Sequence, residues 1–153
     1  PLLETLASRV APGDALYVTY GAGQAMAFYG PRYGFHPGTY VLGGCNRSEP
    51  REYLRELDAF RGRSRVWLVL THSLPVLNEA ALFTGYLSAI GVRHERIPAG
   101  PDTFAALYDL SDAARLASTS AEAYPVSVPE TRLGCAAGPQ TNRDLETRGP
   151  VPP

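Results

Sequence analysis

A glycine-containing turn, Gly21-Ala22-Gly23-Gln24, lies between an apolar stretch and a segment with helical character. In that position the backbone N–H groups of a turn and of the following helix can hold a phosphate. A dinucleotide fingerprint would require a third Gly or Ala three residues later, where this chain has Met26, and an acidic residue after the second strand, where it has none. Gly21, Gly23 and Gln24 are therefore candidate contacts to a small phosphorylated ligand, and the alternative is a tight strand-to-helix turn.

His72 follows the most apolar stretch of the chain and stands between Thr71 and Ser73. Imidazole titrates near neutral pH and can act as an acid or a base. No nucleophile and carboxylate stand around His72 in an order typical of a hydrolase, so we treat it as a candidate ligand contact, and a hydrolase or transferase that uses it is the least favoured alternative. The three histidines lack the spacing of metal ligands. The sequence thus predicts no metal, no cofactor and no catalytic residue in this chain.

Aromatic residues are concentrated in the first forty positions of the chain. Aromatic side chains bind sugar rings and also lie at membrane interfaces. Their spacing assigns Tyr17 and Phe28 to the core, whereas Tyr33, Phe35 and His36 lie in a loop rich in Gly and Pro and are less easily explained by core packing. Tyr33 and His36 are therefore further candidate ligand contacts.

The stretch 66–70 (VWLVL) predicts a short strand that is buried on both faces, as in a sheet with helices on each side. The polar residues 71–73 that follow it lie where open α/β sheets place their ligands. The other strands are predicted at 15–20, 39–42, 92–97 and 104–110, and the main helices at 2–10, 25–29, 49–60 and 78–90. Because the charged segment 92–97 is typical of an edge strand, we expect 104–110 to lie between it and the central strand, in an antiparallel hairpin.

This order of elements predicts an α/β fold class, a three-layer α/β/α sandwich. The expected sheet is Rossmann-like and mostly parallel, with five strands and a C-terminal antiparallel hairpin. Residues 1–110 form the predicted α/β domain. Residues 111–153 are rich in Pro, Ala, Ser, Thr and Gly, and such a segment buries too little apolar surface to offset its ordering entropy. We therefore expect a largely disordered tail with one short helix around 112–116.

Composition narrows the classes of partner. The formal net charge is -1 and no cluster of Lys and Arg is present, which argues against a nucleic-acid partner. No stretch approaches the roughly 20 apolar residues that a transmembrane helix needs, and no signal peptide is visible. The chain begins at Pro1 with a helical pattern already under way, which indicates a fragment or a processed product. Cys45 and Cys135 are far apart in the sequence, and we expect free thiols. A single disulfide between them is the alternative.

Several segments together resemble the soluble C-terminal domain of bacterial polytopic membrane glycosyltransferases, the protein-mannosyltransferase-like and lipid-linked-sugar transferase families. The resemblance covers about residues 1–110 and consists of short pieces without a catalytic signature. The matching pieces are 12–20 (PGDALYVTY), 27–29 (AFY), 53–58 (YLRELD), 61–62 (RG), 65–72 (RVWLVLTH) and 105–110 (AALYDL).

The resemblance implies an intact multi-pass enzyme of the cell membrane that uses a polyprenyl-phosphate sugar. Its catalytic acidic residues would lie upstream, so none is transferred to a position of this chain. The domain would lie on the outer, extracytoplasmic face, would contact the upstream transmembrane region, and would help to shape the site of a carbohydrate or lipid-linked sugar acceptor or stabilise the membrane part. The alternative is a free-standing Rossmann-like module that binds a phosphorylated ligand at the turn 21–24.

Overall fold

The computed structural model describes residues 1–72, 78–130 and 134–135. Helices and strands alternate along most of this part of the chain, and two short 3-10 turns flank the second helix. The strands are β1 (Ala15–Val18), β2 (Val41–Leu42), β3 (Val66–Leu70), β4 (Val92–Pro98) and β5 (Phe104–Asp109). The helices are α1 (Leu2–Arg9), α2 (Gly23–Tyr29), α3 (Arg51–Asp58), α4 (Glu79–Ile90) and α5 (Ala113–Ser118), and the 3-10 turns are Tyr20–Ala22 and Gly30–Tyr33.

The five strands form one mixed sheet in the order β2-β1-β3-β5-β4. β1 pairs in parallel with β2 and β3, whereas β5 pairs antiparallel with both β3 and β4. The predicted mostly parallel, Rossmann-like sheet is therefore wrong, because only two of the four adjacent pairs are parallel. The short turn 99–103 forces β5 to run back along β4, and its insertion beside β3 makes two antiparallel pairs at once. The predicted position of this strand, inside the charged edge strand, is confirmed.

β3 is the centre of the sheet, and all five of its residues are buried. The turn that precedes β1 is joined to it through Asp14, whose side chain is only 2% exposed. The Asp14 carboxylate accepts hydrogen bonds from the Trp67 indole N–H at 2.9 Å, from the Arg65 guanidinium at 2.7 Å and from the Ala11 N–H at 2.9 Å. Burial opposes ionisation of Asp14, but these bonds outweigh it and hold the pKa of the carboxyl below its usual value.

Helices cover both faces of the sheet. On the side that we call the α3/α4 face, the core includes Tyr17, Leu68 and Phe83, all at most 1% exposed. On the opposite side, the α1/α2 face, Trp67 and Met26 are among the almost fully buried members of a smaller apolar cluster. The alternation of side chains along each strand explains why neighbours in β3 belong to different clusters.

Residues 111–130 pack against the α3/α4 face. α5 lies at 113–118, close to the short helix predicted there, and Asp112 caps it by accepting hydrogen bonds from the N–H groups of Ala114 and Arg115. Beyond it, Ala121 is only 3% exposed and belongs to the core. The expectation of disorder therefore fails for this part of the tail. The remaining tail residues, 131–133 and 136–153, lie outside the described residues, and the domain division at residue 110 stays a prediction.

Cys45 and Cys135 form a disulfide, with their Cα atoms 6.1 Å apart. The expectation of free thiols is wrong, because the fold brings together two positions that are 90 residues apart in the sequence. The bridge joins the loop after β2 to the C-terminal segment. Arg47 of the same loop strengthens this junction by donating a hydrogen bond to the Gly134 carbonyl at 3.1 Å.

Candidate functional site

The glycines of the predicted phosphate-binding turn are used for close packing. A Cβ atom on Gly21 would lie 2.6 Å from the Thr71 carbonyl oxygen, and one on Gly23 would lie 2.8 Å from the Leu42 side chain. The N–H group of Ala22 donates to the Thr19 carbonyl, and that of Gly23 donates to the Tyr20 carbonyl. These N–H groups are therefore already bonded within the 3-10 turn, as in a tight strand-to-helix connection.

Gln24 is exposed in the first turn of α2, a helix of only seven residues that carries no acidic or basic side chain at its ends. His36 is also exposed, in the turn before β2, where its N–H donates to the Thr39 hydroxyl at 3.0 Å and its carbonyl accepts from the same hydroxyl at 2.7 Å. Neither residue is among those that line the cavity on the α1/α2 face, which is described below. Gln24 therefore lies on the surface and His36 lies in a turn, and the structure does not bring them together with the other candidates.

His72 is exposed at the end of β3 and has a φ of 52°, a left-handed conformation that is uncommon for a residue other than glycine. Its carbonyl oxygen would lie 2.9 Å from a Cβ on Gly21, so the two predicted residues do meet, but through their backbones. This close approach joins the segments that follow β1 and β3, at the end of the sheet where open α/β sheets usually bind their ligands.

The main cavity near these residues lies on the α1/α2 face and has a volume of about 410 Å³. Ligand pockets commonly have about 300–1,000 Å³, so this cavity can accommodate a small organic molecule. Tyr33 is the one predicted site residue that lines it, and it is half-buried. The full lining is Pro1, Leu2, Leu3, Ala22, Ala25, Met26, Tyr29, Arg32, Tyr33, Val69, Thr71 and Thr103.

The cavity has few polar groups, and they lie at different depths. Thr71 and Thr103 are half-buried on the sheet, and their hydroxyl oxygens are 2.9 Å apart. Arg32 is exposed at the opening, and its guanidinium has no hydrogen bond or acidic partner among the residues that the structure describes. The arrangement can therefore place one neutral oxygen of a ligand near the sheet and one negative charge near the surface.

An exposed aromatic pair lies beside this opening. Phe28 is 62% exposed and Tyr29 is 49% exposed, and their rings meet edge to face with centroids 4.7 Å apart. The expected core position of Phe28 is wrong, because the buried positions of α2 are Gly23 and Met26, three residues apart, and position 28 falls on the opposite side of the helix. We call Phe28 and Tyr29 the aromatic pair.

Two other aromatic expectations have different outcomes. Tyr17 is completely buried in the core, as predicted. Phe35, which was expected in a binding loop, is only 5% exposed and belongs to the apolar cluster of the α1/α2 face. Its N–H donates to the Gly30 carbonyl at 3.0 Å, so the end of the second 3-10 turn directs this ring inward.

The carboxylate of Glu56 is partly buried on the α3/α4 face. Its oxygens accept hydrogen bonds from the Gly44 N–H at 3.0 Å, the Asn46 side-chain amide at 2.8 Å and the Tyr17 hydroxyl at 3.3 Å. Burial raises the pKa of Glu56, and these donors only partly oppose the rise. The carboxylate holds the loop that contains Cys45, so its bonds are structural.

Tyr53 extends this network on the same face. Its hydroxyl accepts from the Asn46 N–H at 3.1 Å and donates to the Glu79 carboxylate at 3.2 Å. Burial is the main cause that raises its pKa, and the neighbouring Glu79 charge adds to the rise. Within the described ranges, no group of three or more His, Cys, Asp and Glu side chains could hold a metal ion. In the same part of the chain, no helix combines the length and the apolar character needed to cross a membrane.

Sequence reasoning missed most of the cavity. Arg32 lies between Pro31 and Tyr33 in the loop with the candidate aromatic residues, and its charge is a local signal of a binding role. Thr71 and Thr103 meet because β3 and β5 are antiparallel with Leu70 opposite Phe104. That pairing follows from the predicted hairpin once its register is known. The contribution of α1 to the cavity could not be predicted, because no pattern in the sequence of α1 indicates which distant residues it packs against.

Comparisons of the chain with protein-family models, with curated proteins and with solved structures give no match.

Proposed function

We propose that this chain is a non-catalytic, extracytoplasmic domain of a multi-pass membrane glycosyltransferase that uses a polyprenyl-phosphate sugar. Its α1/α2 face lies against the membrane-embedded part, where it stabilises that part or helps to shape the acceptor site. The observation on which this proposal mainly rests is the exposed aromatic pair beside an apolar cavity on that face.

The physical reason is the cost of leaving such groups in water. Phe28 and Tyr29 are large aromatic side chains, and a contiguous apolar surface next to an open apolar cavity is typical of an interaction site. Tyrosine and other aromatic residues are enriched where one side of a surface is apolar and the other is wet, as at a membrane boundary. Arg32 at the same opening suits such a boundary, because a guanidinium can contact lipid phosphates or acidic groups.

The disulfide between Cys45 and Cys135 supports the extracytoplasmic location. Disulfides persist in oxidising compartments outside the cytosol and are rare where the thiols of a cell are kept reduced. The bridge also lies in a loop that Glu56 and Asn46 hold firmly, so it acts as part of the folded framework.

The bonding of the buried carboxylates supports a non-catalytic role. Asp14 binds Arg65 and Trp67, and Glu56 binds backbone and side-chain donors of the loop after β2. Each carboxylate is committed to donors that hold the fold together. Neither lines the main cavity.

The size and fractionation of the native protein, followed with an antibody against this chain, test the proposal. We expect a species several times larger than the 16.5 kDa of these residues, and we expect it to leave the membrane fraction only with detergent. A species near 16.5 kDa that is extracted without detergent, from a natural reading frame that begins near residue 1, would overturn the proposal. A membrane protein and a secreted protein of known size, followed in the same fractions, serve as controls.

A further inference from the structure

We propose that the cavity on the α1/α2 face binds an amphipathic anion, with its aliphatic part inside the cavity and a carboxylate or phosphate at Arg32. This site goes beyond the proposed function and does not depend on it. An isolated chain can bind such a molecule whether or not the native protein is part of a membrane enzyme.

The walls of the cavity select an aliphatic body. Leu2 and Leu3 from α1, Ala25 and Met26 from α2, and Val69 from β3 line the cavity, and most of its surface is apolar. A free sugar carries a hydroxyl on most of its carbons, and burying hydroxyls without hydrogen-bond partners is costly. An alkyl or isoprenoid chain has no such cost and gains from the removal of apolar surface from water.

The threonine pair on the sheet does not contradict this selection. The hydroxyls of Thr71 and Thr103 bond to each other at 2.9 Å, so neither requires a ligand to satisfy it. One hydroxyl proton remains available in such a pair, because only one of the two oxygens donates to the other. A neutral oxygen on the ligand can use that proton, whereas a charged group at this depth would lack a counter-charge.

The charge at the opening selects the head group. Arg32 is exposed, and it has no carboxylate partner among the described residues, whereas Arg61 and Arg65 are paired with Asp58 and Asp14. Among the residues that the structure describes, no Asp or Glu lines the cavity, so the local charge is positive although the whole chain has a formal charge of -1. A guanidinium binds carboxylates and phosphates through two parallel N–H donors, which suits a single anionic head group.

The site can be tested with the full chain and three probes of equal length: decanoate, decyl phosphate and decanol, each kept below the concentration at which it aggregates. We expect both anions to bind in calorimetry and to raise the melting temperature, with decanol binding more weakly. In Arg32→Gln the affinity for the anions should fall by about tenfold, as the loss of a charge-assisted bond implies, while that for decanol stays unchanged. The ratio of phosphate to carboxylate affinity then distinguishes the two head groups.

Arg93→Gln is the matched control, because Arg93 is also an exposed arginine but lies on the edge strand β4, away from the cavity. A second variant, Ala25→Leu, places extra volume in the cavity and should weaken all three probes. Binding of no probe would overturn the proposal. So would equal losses in Arg32→Gln and Arg93→Gln, decanol binding as tight as that of the anions, or a chain that sediments as a dimer and loses the cavity to a second copy.

Discussion

The two faces of the sheet are covered to different extents by the rest of the chain. The α3/α4 face is covered by the C-terminal segment, with Ala121 in the core and Tyr124 packed edge to face on Tyr86 at 5.3 Å. A cavity of about 210 Å³ remains there between α4 and this segment. The α1/α2 face keeps a cavity of about 410 Å³ and the exposed aromatic pair. The same sheet thus has one face that the chain covers with its own C-terminal segment and one face with a larger cavity and exposed aromatic side chains.

Arginine side chains make this difference visible. Arg51 donates to the carbonyls of Ala121 and Tyr124 at 2.6 and 2.8 Å, and Arg61 donates to those of Leu116 and Thr119 at 2.7 and 2.9 Å. The guanidinium at the opening of the cavity has no such acceptors within the described part of the chain. Bonds to carbonyls fix a segment of this chain, whereas a free guanidinium beside apolar walls is suited to a separate molecule.

Removal of the disulfide should have the largest effect on stability. We expect the double variant Cys45→Ser and Cys135→Ser to lose about 2–4 kcal/mol of unfolding free energy, because the bridge closes a long loop and restricts the unfolded chain. Urea denaturation with and without reductant measures the loss. Reductant should lower the midpoint of the native chain but leave the double variant unchanged. Equal midpoints for the native chain and the double variant without reductant would show that the disulfide does not stabilise the fold.

Arg51 and Arg61, which bond to carbonyls of the C-terminal segment, act as arginine clamps. Loss of one clamp should lower the free energy of unfolding by almost as much as loss of the disulfide. In Arg61→Met the carbonyls of Leu116 and Thr119 lose their donor and Asp58 loses its ion-pair partner, so we expect a loss of about 3 kcal/mol. Arg32→Met, which removes an exposed arginine without such bonds, should change the unfolding free energy by less than about 0.5 kcal/mol. Thermal and urea unfolding of the two variants measure both changes. Equal losses would remove the distinction between the two faces.

The covered face also shows why part of the fold could not be predicted. The apolar run 66–70 and the charged segment 92–97 predicted the central and edge strands, because burial and exposure act on side-chain type. The clamps of Arg51 and Arg61 act on backbone carbonyls, which every residue has. The composition of 111–130 therefore indicated disorder although arginines elsewhere in the chain hold this segment.

The open face was difficult to predict for a different reason. α2 has only seven residues, so its apolar period is too short to decide whether Phe28 faces inward or outward. The cavity joins α1, α2 and the ends of β3 and β5, and such a cavity depends on packing between distant segments. Tyr33, an aromatic residue in a Gly/Pro loop, is the one predicted candidate that lines the cavity, and its contact with a ligand stays a prediction. Arg32, which has no local signal except its charge, was missed.

The carboxylates of Asp14 and Glu56 give a third test, because each one bonds to a core residue of a different face. Asp14 bonds to Trp67 of the α1/α2 cluster, and the pKa of its carboxyl is lowered in the folded chain. Its contribution to the free energy of unfolding is therefore present above the usual pKa of 3.8 and is lost as the pH falls below that value. Glu56 bonds to Tyr17 of the α3/α4 cluster, and its raised pKa means that the protonated form fits the fold better. Its contribution is therefore present below 4.5 and is lost as the pH rises through the folded pKa.

Asp14→Asn and Glu56→Gln should therefore respond to pH with opposite signs. We expect Asp14→Asn to cost about 2 kcal/mol at neutral pH, because charge-assisted bonds to Arg65 and Trp67 are lost, and less near pH 3. The stability of the native chain relative to Glu56→Gln should instead decrease from acidic to neutral pH. Urea denaturation at several pH values measures both trends, and slopes of the same sign would contradict the assignment.

The aromatic pair should have the smallest effect on stability and a visible effect on location. Phe28 and Tyr29 are exposed, so changing both to Ser should alter the unfolding free energy of this chain by less than about 0.5 kcal/mol per residue. If the α1/α2 face meets the membrane-embedded part, the same double variant in the intact protein should weaken that contact and increase protease cleavage next to this domain.

Val128→Ser is the matched control for the aromatic pair, because Val128 is 68% exposed but belongs to the C-terminal segment that covers the α3/α4 face. Equal unfolding midpoints for both variants, together with greater cleavage in the aromatic variant alone, would assign partner contact to the open face. Equal cleavage in both variants would indicate that exposed apolar surface has the same role on either side. A large loss of stability in the aromatic variant would instead show that Phe28 and Tyr29 support the fold, since a surface kept for a partner adds little to the stability of the isolated chain.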